Sequence, residues 1–340
     1  MPGTENGKPA PGGMSSPDVK CLVVLGPTAT GKTRLGVYLA RRFGGEIVSA
    51  DSRQVYRGLD IGTGKDLHEY TCGGPAVPFH LIDVVAPGEE YNLHRFMQDA
   101  RRAIADIAAR GKLPLIVGGT PLYINALLEN YQLPGGAPDA DLRQSLAQFT
   151  DRELAARLQS LAPELYARTD RTQRRRLLRA LEIAAAAKTE HARNGLPYRL
   201  KPLLLAPLFP RSQVHARIAQ RLQARLNDGL LTEVQRLHDQ GLAWERLEAL
   251  GLEYRFAALF LQGRLPREQF ESSLLARIRR LCRAQDIWFR KMERAGWQIH
   301  WIPQGDQEKA AALTGRFLQN RPLPPPAQRL EDIRYGPRSQ

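Results

Sequence analysis

A predicted strand, a glycine-rich loop and a helix follow one another near the start of the chain, and this succession limits the available folds. Residues 21–25 are apolar, and residues 26–33 then match the pattern G-x-x-x-x-G-K-[ST] at every position. Such a loop points its backbone N–H groups at one anion, and the following helix adds its dipole. We expect a phosphate or diphosphate to bind this phosphate loop, which comprises Gly26, Pro27, Thr28, Ala29, Thr30, Gly31, Lys32 and Thr33.

Two residues of the phosphate loop have predicted roles of their own. Lys32 supplies a positive charge to the bound anion, and the hydroxyl of Thr33 is a candidate Mg²⁺ ligand. The pattern is specific for phosphate, but it does not identify the reaction.

Short apolar runs alternate with helical periodicity through much of the chain, which predicts an α/β fold with a parallel sheet. Further strands are expected at residues 46–50, 79–85, 112–119, 201–209 and 297–303. Together with the phosphate loop, they predict a P-loop NTPase-like parallel sheet flanked by helices, with an all-helical insert.

Changes in composition divide the chain into four predicted parts. Residues 1–18 are rich in Gly and Pro and are expected to form a disordered tail. Residues 19–134 and 200–302 form the α/β core, and the helical insert occupies residues 135–199. Residues 303–340 form a Pro-rich C-terminal tail.

Composition also limits where the protein acts. The chain has 340 residues, of which 43% are apolar, but no apolar run approaches the roughly 20 residues needed to cross a bilayer. Its N-terminus lacks the apolar centre of a secretion signal, and its three cysteines have no paired spacing. We therefore expect a cytoplasmic protein with no membrane partner.

Acidic and glycine-rich positions follow two predicted strands at the edge where ligands bind in parallel sheets. Asp51 comes directly after one of them and begins a loop that is rich in polar residues. Gly118, Gly119 and Thr120 follow another strand, where glycines permit close approach of a ligand. Asp51 is the candidate functional acid, with a helix cap as the alternative, and Asp83 is assigned a structural role.

The positive charge is concentrated in two arginine-rich segments. The formal net charge is +14, and arginines cluster at residues 168–179 of the insert and at residues 279–290. Isolated charge runs are usually solvated helix faces, but two such segments beside a phosphate site favour a nucleic acid backbone as partner.

Several blocks occur in the order and spacing of tRNA dimethylallyltransferases, which the chain resembles from about residue 20 to residue 302. They include "GPTATGKT", "SADSRQVYRGLDIGT", "LPLIVGGTPLY", "RALEI" and "WFR". The resemblance implies transfer of a dimethylallyl group from dimethylallyl diphosphate to N6 of adenine 37, beside the anticodon of tRNA. Pyrophosphate would be released with the help of Mg²⁺, and the partner would be the tRNA anticodon stem-loop. Because one stem-loop would occupy one insert, we expect a monomer.

The resemblance also implies roles for individual residues. Asp51 matches the catalytic aspartate, Thr120 a position close to the reaction and Arg217 an arginine that binds the diphosphate. The positions implied to contact tRNA are Asp51, Ser52, Arg53, Gln54, Thr120, Arg143, Arg175, Arg176, Leu177, Leu178, Arg179, Leu250, Gly251, Leu252, Glu253, Tyr254 and Arg255.

The chain departs from the family pattern mainly in segments implied to contact tRNA, for example at Gln173, Glu253 and Ala284. Three alternatives therefore stay open. One is prenyl transfer to free AMP, as in adenylate isopentenyltransferases, which would leave the arginine-rich insert without a role. The others are a small-molecule kinase that uses ATP and a tRNA-binding paralogue without activity.

Overall fold

The computed structural model describes residues 17–131, 133, 136–186 and 198–333. All strand pairs of its six-stranded sheet are parallel, and the strand order is β3-β2-β4-β1-β5-β6. The strands are β1 (Asp18–Leu25), β2 (Gly45–Ser49), β3 (Phe79–His80), β4 (Leu113–Gly118), β5 (Arg199–Leu208) and β6 (Ile299–Pro303). The predicted α/β class with a parallel sheet is confirmed.

Helices cover both faces of the sheet and fill the segment between β4 and β5. They are α1 (Lys32–Phe43), α2 (His68–Thr71), α3 (Leu93–Ala109), α4 (Pro121–Leu128), α5 (Ala140–Leu146), α6 (Asp151–Leu161), α7 (Pro163–Arg168), α8 (Arg174–Ala186), α9 (Arg211–Asn227), α10 (Leu230–Asp239), α11 (Trp244–Ala249), α12 (Leu252–Leu261), α13 (Arg267–Arg294) and α14 (Gln307–Leu318).

Two hydrophobic clusters lie on opposite faces of the sheet, and alternate residues of β1 contribute to each. Val23 belongs to the cluster that includes residues of α3, α9 and α13, whereas Val24 belongs to the cluster with α1 and α14. Because both faces are covered, β1 is apolar without alternation, as is typical of central parallel strands.

The sheet brings three chain segments together at one edge. The phosphate loop follows β1, Asp51 comes shortly after β2, and Gly119 and Thr120 follow β4. The strands β2, β4 and β1 are consecutive neighbours and run in the same direction, so their carboxyl ends meet. This edge is where ligands bind in open parallel sheets.

The strand predicted at residues 79–85 is shorter in the structure, because β3 ends at His80. Leu81 and Asp83 have φ angles of 64° and 57°, which an extended strand cannot accommodate. Pairing returns only as an isolated bridge between Tyr56 and Val85.

The prediction that residues 303–340 form a Pro-rich tail is wrong for residues 307–318, which form α14. Ala310 and Ala311 of this helix are buried in the same cluster as residues of α1. Further on, Leu330 is 1% exposed. None of the prolines of this segment lies within α14, so they do not prevent residues 307–318 from forming a helix.

The segment between β4 and β5 has a hydrophobic cluster of its own, formed by residues of α5, α6 and α8, among them Leu154, Leu158 and Leu177. Thr150 and Glu153 form a capping box that begins α6. Residues 136–186 of the predicted insert are thus mainly helical, whereas its last residue, Arg199, begins β5, and Asp18 at the end of the predicted N-terminal tail begins β1. Residues 187–197 of the insert and 1–16 of the tail lie outside the described residues.

Within the part of the chain that the structure describes, no helix combines the length and the apolar character needed to cross a membrane.

Candidate active site

The phosphate loop has the curled backbone that its sequence predicts. Gly26 and Gly31 have φ angles of 141° and 78°, in the region that favours glycine. The Thr30 hydroxyl donates to the Pro27 carbonyl at 2.9 Å, and Lys32 Nζ donates to the same oxygen at 2.7 Å. These bonds close the loop around the start of α1.

A main cavity of about 590 Å³ opens at the carboxyl edge of the sheet. The phosphate loop forms one wall, the segment after β2 a second and the residues after β4 a third. Predicted site residues that line it are Thr28, Ala29, Gly31, Lys32, Thr33, Asp51, Ser52, Arg53, Gln54, Thr120, Leu250, Gly251, Leu252, Glu253, Tyr254 and Arg255. The fold therefore brings the phosphate loop and the candidate acid to one space.

Hydrogen bonds fix the backbone on both sides of Asp51. The Thr120 N–H donates to the Ala50 carbonyl at 3.2 Å, and the Ser52 N–H donates to Thr120 Oγ1 at 3.0 Å. One carboxylate oxygen of Asp51 accepts from the Arg53 N–H at 2.9 Å. The Asp51 side chain lines the main cavity, so its carboxylate can meet a ligand there.

Burial and nearby charges of both signs act on the ammonium group of Lys32. Desolvation, and after it the charge of the nearby Arg221 guanidinium, lower the pKa of this group to about 8, although Asp51 acts in the opposite direction. A bound anion would reverse this shift, because it favours the charged form of the lysine.

Arg217, predicted to bind the diphosphate, lies in an adjoining cavity of about 470 Å³ on the outer side of the phosphate loop. Its guanidinium stacks on the Phe209 ring at 3.8 Å from the centroid. Arg221 lies one turn later on α9, lines both cavities and donates to the Thr28 hydroxyl. Sequence reasoning missed Arg221, although its position four residues after Arg217 places it on the same helix face.

A network on the far wall of the main cavity holds the loop at residues 60–64. The buried carboxylate of Glu233 accepts from the N–H groups of Asp60, Ile61 and Gly62 at 2.8–3.1 Å. The Tyr254 hydroxyl donates to the same carboxylate at 2.6 Å. Tyr254 is 1% exposed, so it forms the wall rather than a surface for tRNA.

Three ion pairs support this wall and the loop behind it. Arg225 donates to the Gly62 carbonyl and pairs with Glu253 at 2.9 Å, so the departure at Glu253 is accommodated by an ion pair. Buried Lys65 pairs with Asp60 and Asp83, which gives Asp83 a structural contact as expected.

The predicted tRNA-contacting residues of the insert have different environments. Leu177 is fully buried in the cluster of the insert, so the prediction that its side chain contacts tRNA is wrong. Arg143 and Arg179 both pair with the buried carboxylate of Glu182, at 2.6 and 3.0 Å. Arg175 is exposed and forms no ion pair among the described residues.

Known protein families match the part of the chain that forms the main cavity. A family model described as "IPP transferase" matches residues 54–292, and another described as "Isopentenyl transferase" matches residues 19–73. The chain belongs to the IPP transferase family. The two matches together span the phosphate loop, Asp51, Thr120 and α9, which are the elements that form the main cavity.

Relatives within the IPP transferase family resemble the chain over most of its length. It is 49% identical to "tRNA dimethylallyltransferase 1" of Geotalea uraniireducens, over 85% of this chain and 95% of that protein. It is 47% identical to "tRNA dimethylallyltransferase 2" of Trichlorobacter lovleyi, over 87% and 97%.

Solved structures agree with this family assignment. The full-length tRNA isopentenylpyrophosphate transferase of Bacillus halodurans is 32% identical and has a TM-score of 0.63, covering 88% of this chain and 96% of that one. A eukaryotic dimethylallyltransferase acting on tRNA has a TM-score of 0.75 at 23% identity, over 90% and 81%, which is a likeness of fold.

Proposed function

We propose that this protein transfers a dimethylallyl group from dimethylallyl diphosphate to N6 of adenine 37 in tRNA and releases pyrophosphate. The observation that carries the proposal is the main cavity, in which the phosphate loop faces Asp51 and Thr120. A donor diphosphate and an acceptor amine can meet there. The family membership supports the same reaction.

The phosphate loop is proposed to hold the diphosphate of the donor. The N–H groups at the start of α1, Lys32 and Arg221 surround the space in which negative charge develops when the donor C–O bond breaks. Donors placed in advance around a leaving group stabilise the transition state more than the ground state. Arg217 lines the adjoining cavity and would attract the diphosphate from there.

Asp51 is proposed to orient the adenine amine and accept its proton. The amine is a poor nucleophile because its lone pair is delocalised into the ring, so a carboxylate within hydrogen-bond reach assists its attack. A new C–N bond forms, the C–O bond of the donor breaks, and one N6 proton passes to Asp51. Thr120 keeps the carboxylate segment in place through its bonds to Ser52 and Ala50.

Mg²⁺ is proposed as the metal cofactor, with the Thr33 hydroxyl as its protein ligand. The described residues hold no cluster of three or more His, Cys, Asp or Glu side chains that could bind a metal by themselves. Thr33 fits a magnesium ion that is bound mainly by the diphosphate and water, as is usual for this metal. Bound there, Mg²⁺ would offset the charge of the departing pyrophosphate.

Exposed arginines are proposed to hold the tRNA, and Arg255 at the main cavity and Arg175 on the insert are both exposed. A loop base can be turned out of its stack at low cost, which suits entry of adenine 37 into the cavity. One anticodon stem-loop would occupy one chain, so we propose a monomer. We also propose that the protein acts in the cytoplasm, where its tRNA acceptor is available.

The decisive experiment incubates the protein with Mg²⁺, labelled dimethylallyl diphosphate and either unmodified tRNA or AMP. We expect label at N6 of adenine 37 and a loss of at least about 100-fold in rate for Asp51→Asn, because general-base assistance is typically worth that much. Asp239→Asn, an exposed aspartate on α10, is the matched control and should leave the rate unchanged.

Other outcomes would contradict the proposal in different ways. Label in AMP alone would indicate an adenylate isopentenyltransferase. Full activity of Asp51→Asn would exclude this residue as the base. Binding of tRNA without transfer of label would identify a paralogue without activity.

A further inference from the structure

The side chain of Gln285 joins two walls of the main cavity, although neither the phosphate-loop pattern nor the roles implied by resemblance include it. The residue lies on α13 and is 7% exposed. Its Oε1 accepts from the Thr28 N–H at 2.9 Å, and its Nε2 donates to the Gly119 carbonyl at 2.6 Å. Because the two ends of the carboxamide have different partners, only one orientation satisfies both.

The two partners of Gln285 belong to the two halves of the proposed reaction. Thr28 is part of the phosphate loop, whereas Gly119 directly precedes Thr120. Thr120 is in turn bonded to Ala50 and Ser52, the residues on either side of Asp51. Hydrogen bonds, together with the Gly119–Thr120 peptide bond, therefore connect the phosphate loop to the backbone on either side of Asp51.

The helix that carries Gln285 is firmly packed against the rest of the fold. The helix α13 is 28 residues long, and Asp286, the residue after Gln285, forms a partly buried salt bridge with Arg211 of α9 at 3.0 Å. Phe289, one turn later, is fully buried in the larger hydrophobic cluster. The carboxamide is thus held by a packed helix that does not belong to either wall it joins.

We propose that Gln285 is a positioning residue that sets the separation between the donor diphosphate and the acceptor amine. This inference rests on the proposed function, in which the phosphate loop holds the donor and Asp51 meets N6. A neutral amide adds no net charge to the leaving group, so its contribution is one of geometry. A misplacement of about 1 Å between reacting groups can cost about 100-fold in rate.

Misalignment has a chemical signature in this reaction. When the C–O bond of the donor opens and the amine is displaced, water can bond to the allylic carbon instead. Its proton then passes to solvent, and the products are dimethylallyl alcohol and pyrophosphate. The ratio of pyrophosphate released to tRNA prenylated therefore measures alignment and rises above one when the two walls are no longer held together.

The test compares Gln285→Met and Gln285→Glu with the wild-type protein. Met has a similar length and no amide, whereas Glu keeps an acceptor for Thr28 but cannot donate to Gly119 when ionised. We expect kcat to fall about 10- to 100-fold in both variants, with the Kd for tRNA changed by less than about threefold. In the uncharged Gln285→Met the KM for the donor should also change by less than about threefold, whereas the added negative charge of Gln285→Glu can raise it. The ratio of pyrophosphate to prenylated tRNA should exceed one.

Gln269→Met is the matched control, because Gln269 is exposed on the same helix, and it should behave as the wild-type protein. A higher donor KM at unchanged kcat in Gln285→Glu, or a ratio that stays at one in both variants, would overturn the inference. Failure of the proposed function would show in the wild-type protein instead, which would transfer no label to tRNA, and that result would overturn both.

Discussion

Lys32 shows how a single residue of the site responds to its surroundings. Desolvation and the charge of Arg221 bring its pKa down to about 8, although the same lysine in water would stay charged until far higher pH. Arg221, which lowers the pKa of Lys32, also lines the main cavity. A diphosphate bound in the main cavity, as we propose, would relieve the repulsion between the two cations.

Donor binding should therefore depend on pH through Lys32. A diphosphate prefers the protonated lysine, so kcat/KM for the donor should be constant below about pH 8 and fall at higher pH, by up to tenfold per unit. In Lys32→Arg the inflection should disappear, because arginine stays charged. A pH profile with saturating tRNA measures this, and an inflection that persists in Lys32→Arg would assign it to another group.

At the scale of elements, Glu233 connects α10 and α12 to the loop at residues 60–64. A single buried carboxylate satisfies three backbone N–H groups and the Tyr254 hydroxyl. These donors would otherwise be left without partners in an interior where an unsatisfied polar group is costly. The same loop accepts a hydrogen bond from Gln54, so it supports the wall that faces Asp51.

Removing this carboxylate should destabilise the fold. Glu233→Ala is expected to lower the free energy of unfolding by about 2–4 kcal/mol, because several buried donors lose their acceptor. Tyr254→Phe removes one donor as well as its bond and should cost about 1 kcal/mol. Urea denaturation measures both values, and a change below about 0.5 kcal/mol for Glu233→Ala would contradict this account of the loop.

At the scale of the whole molecule, the net charge of +14 is not equally available to a polyanion. Glu182 neutralises Arg143 and Arg179 inside the insert, and Asp170 pairs with Arg176 at 2.7 Å. Arg175, on the same helix, is exposed and has no acidic partner among the described residues. The arginines of the insert thus divide into those that stabilise it and those that can contact phosphate.

This division can be measured through the salt dependence of tRNA binding. Arg175→Gln should reduce by about one the slope of the logarithm of the tRNA-binding constant against the logarithm of the salt concentration. It should also weaken the binding of all tRNAs to a similar extent. Arg179→Gln is the matched variant and should lower the melting temperature instead, with a smaller change in slope, because it leaves the buried Glu182 with one cation fewer. Equal slopes for Arg175→Gln and the wild-type protein would contradict phosphate contact at Arg175.

The sequence by itself determined the features that are encoded locally. The phosphate loop is defined within eight residues, because its glycines, lysine and helix start fix the backbone without distant partners. The apolar runs and their helical spacers determined the parallel sheet, and with it the edge at which Asp51 and Thr120 meet the loop. These inferences needed only periodicity and the geometry of parallel strands.

Only the tertiary structure decided which charged side chains reach the main cavity. Arg217 and Arg221 lie one turn apart on α9, but the packing of this helix against α10 and α13 directs Arg221 to Thr28 and leaves Arg217 over Phe209 in the adjoining cavity. Likewise, Glu182 pairs with Arg143 from another helix, although 39 residues separate them. The direction and the partner of a long side chain depend on how helices rotate and pack, and no local pattern contains that information.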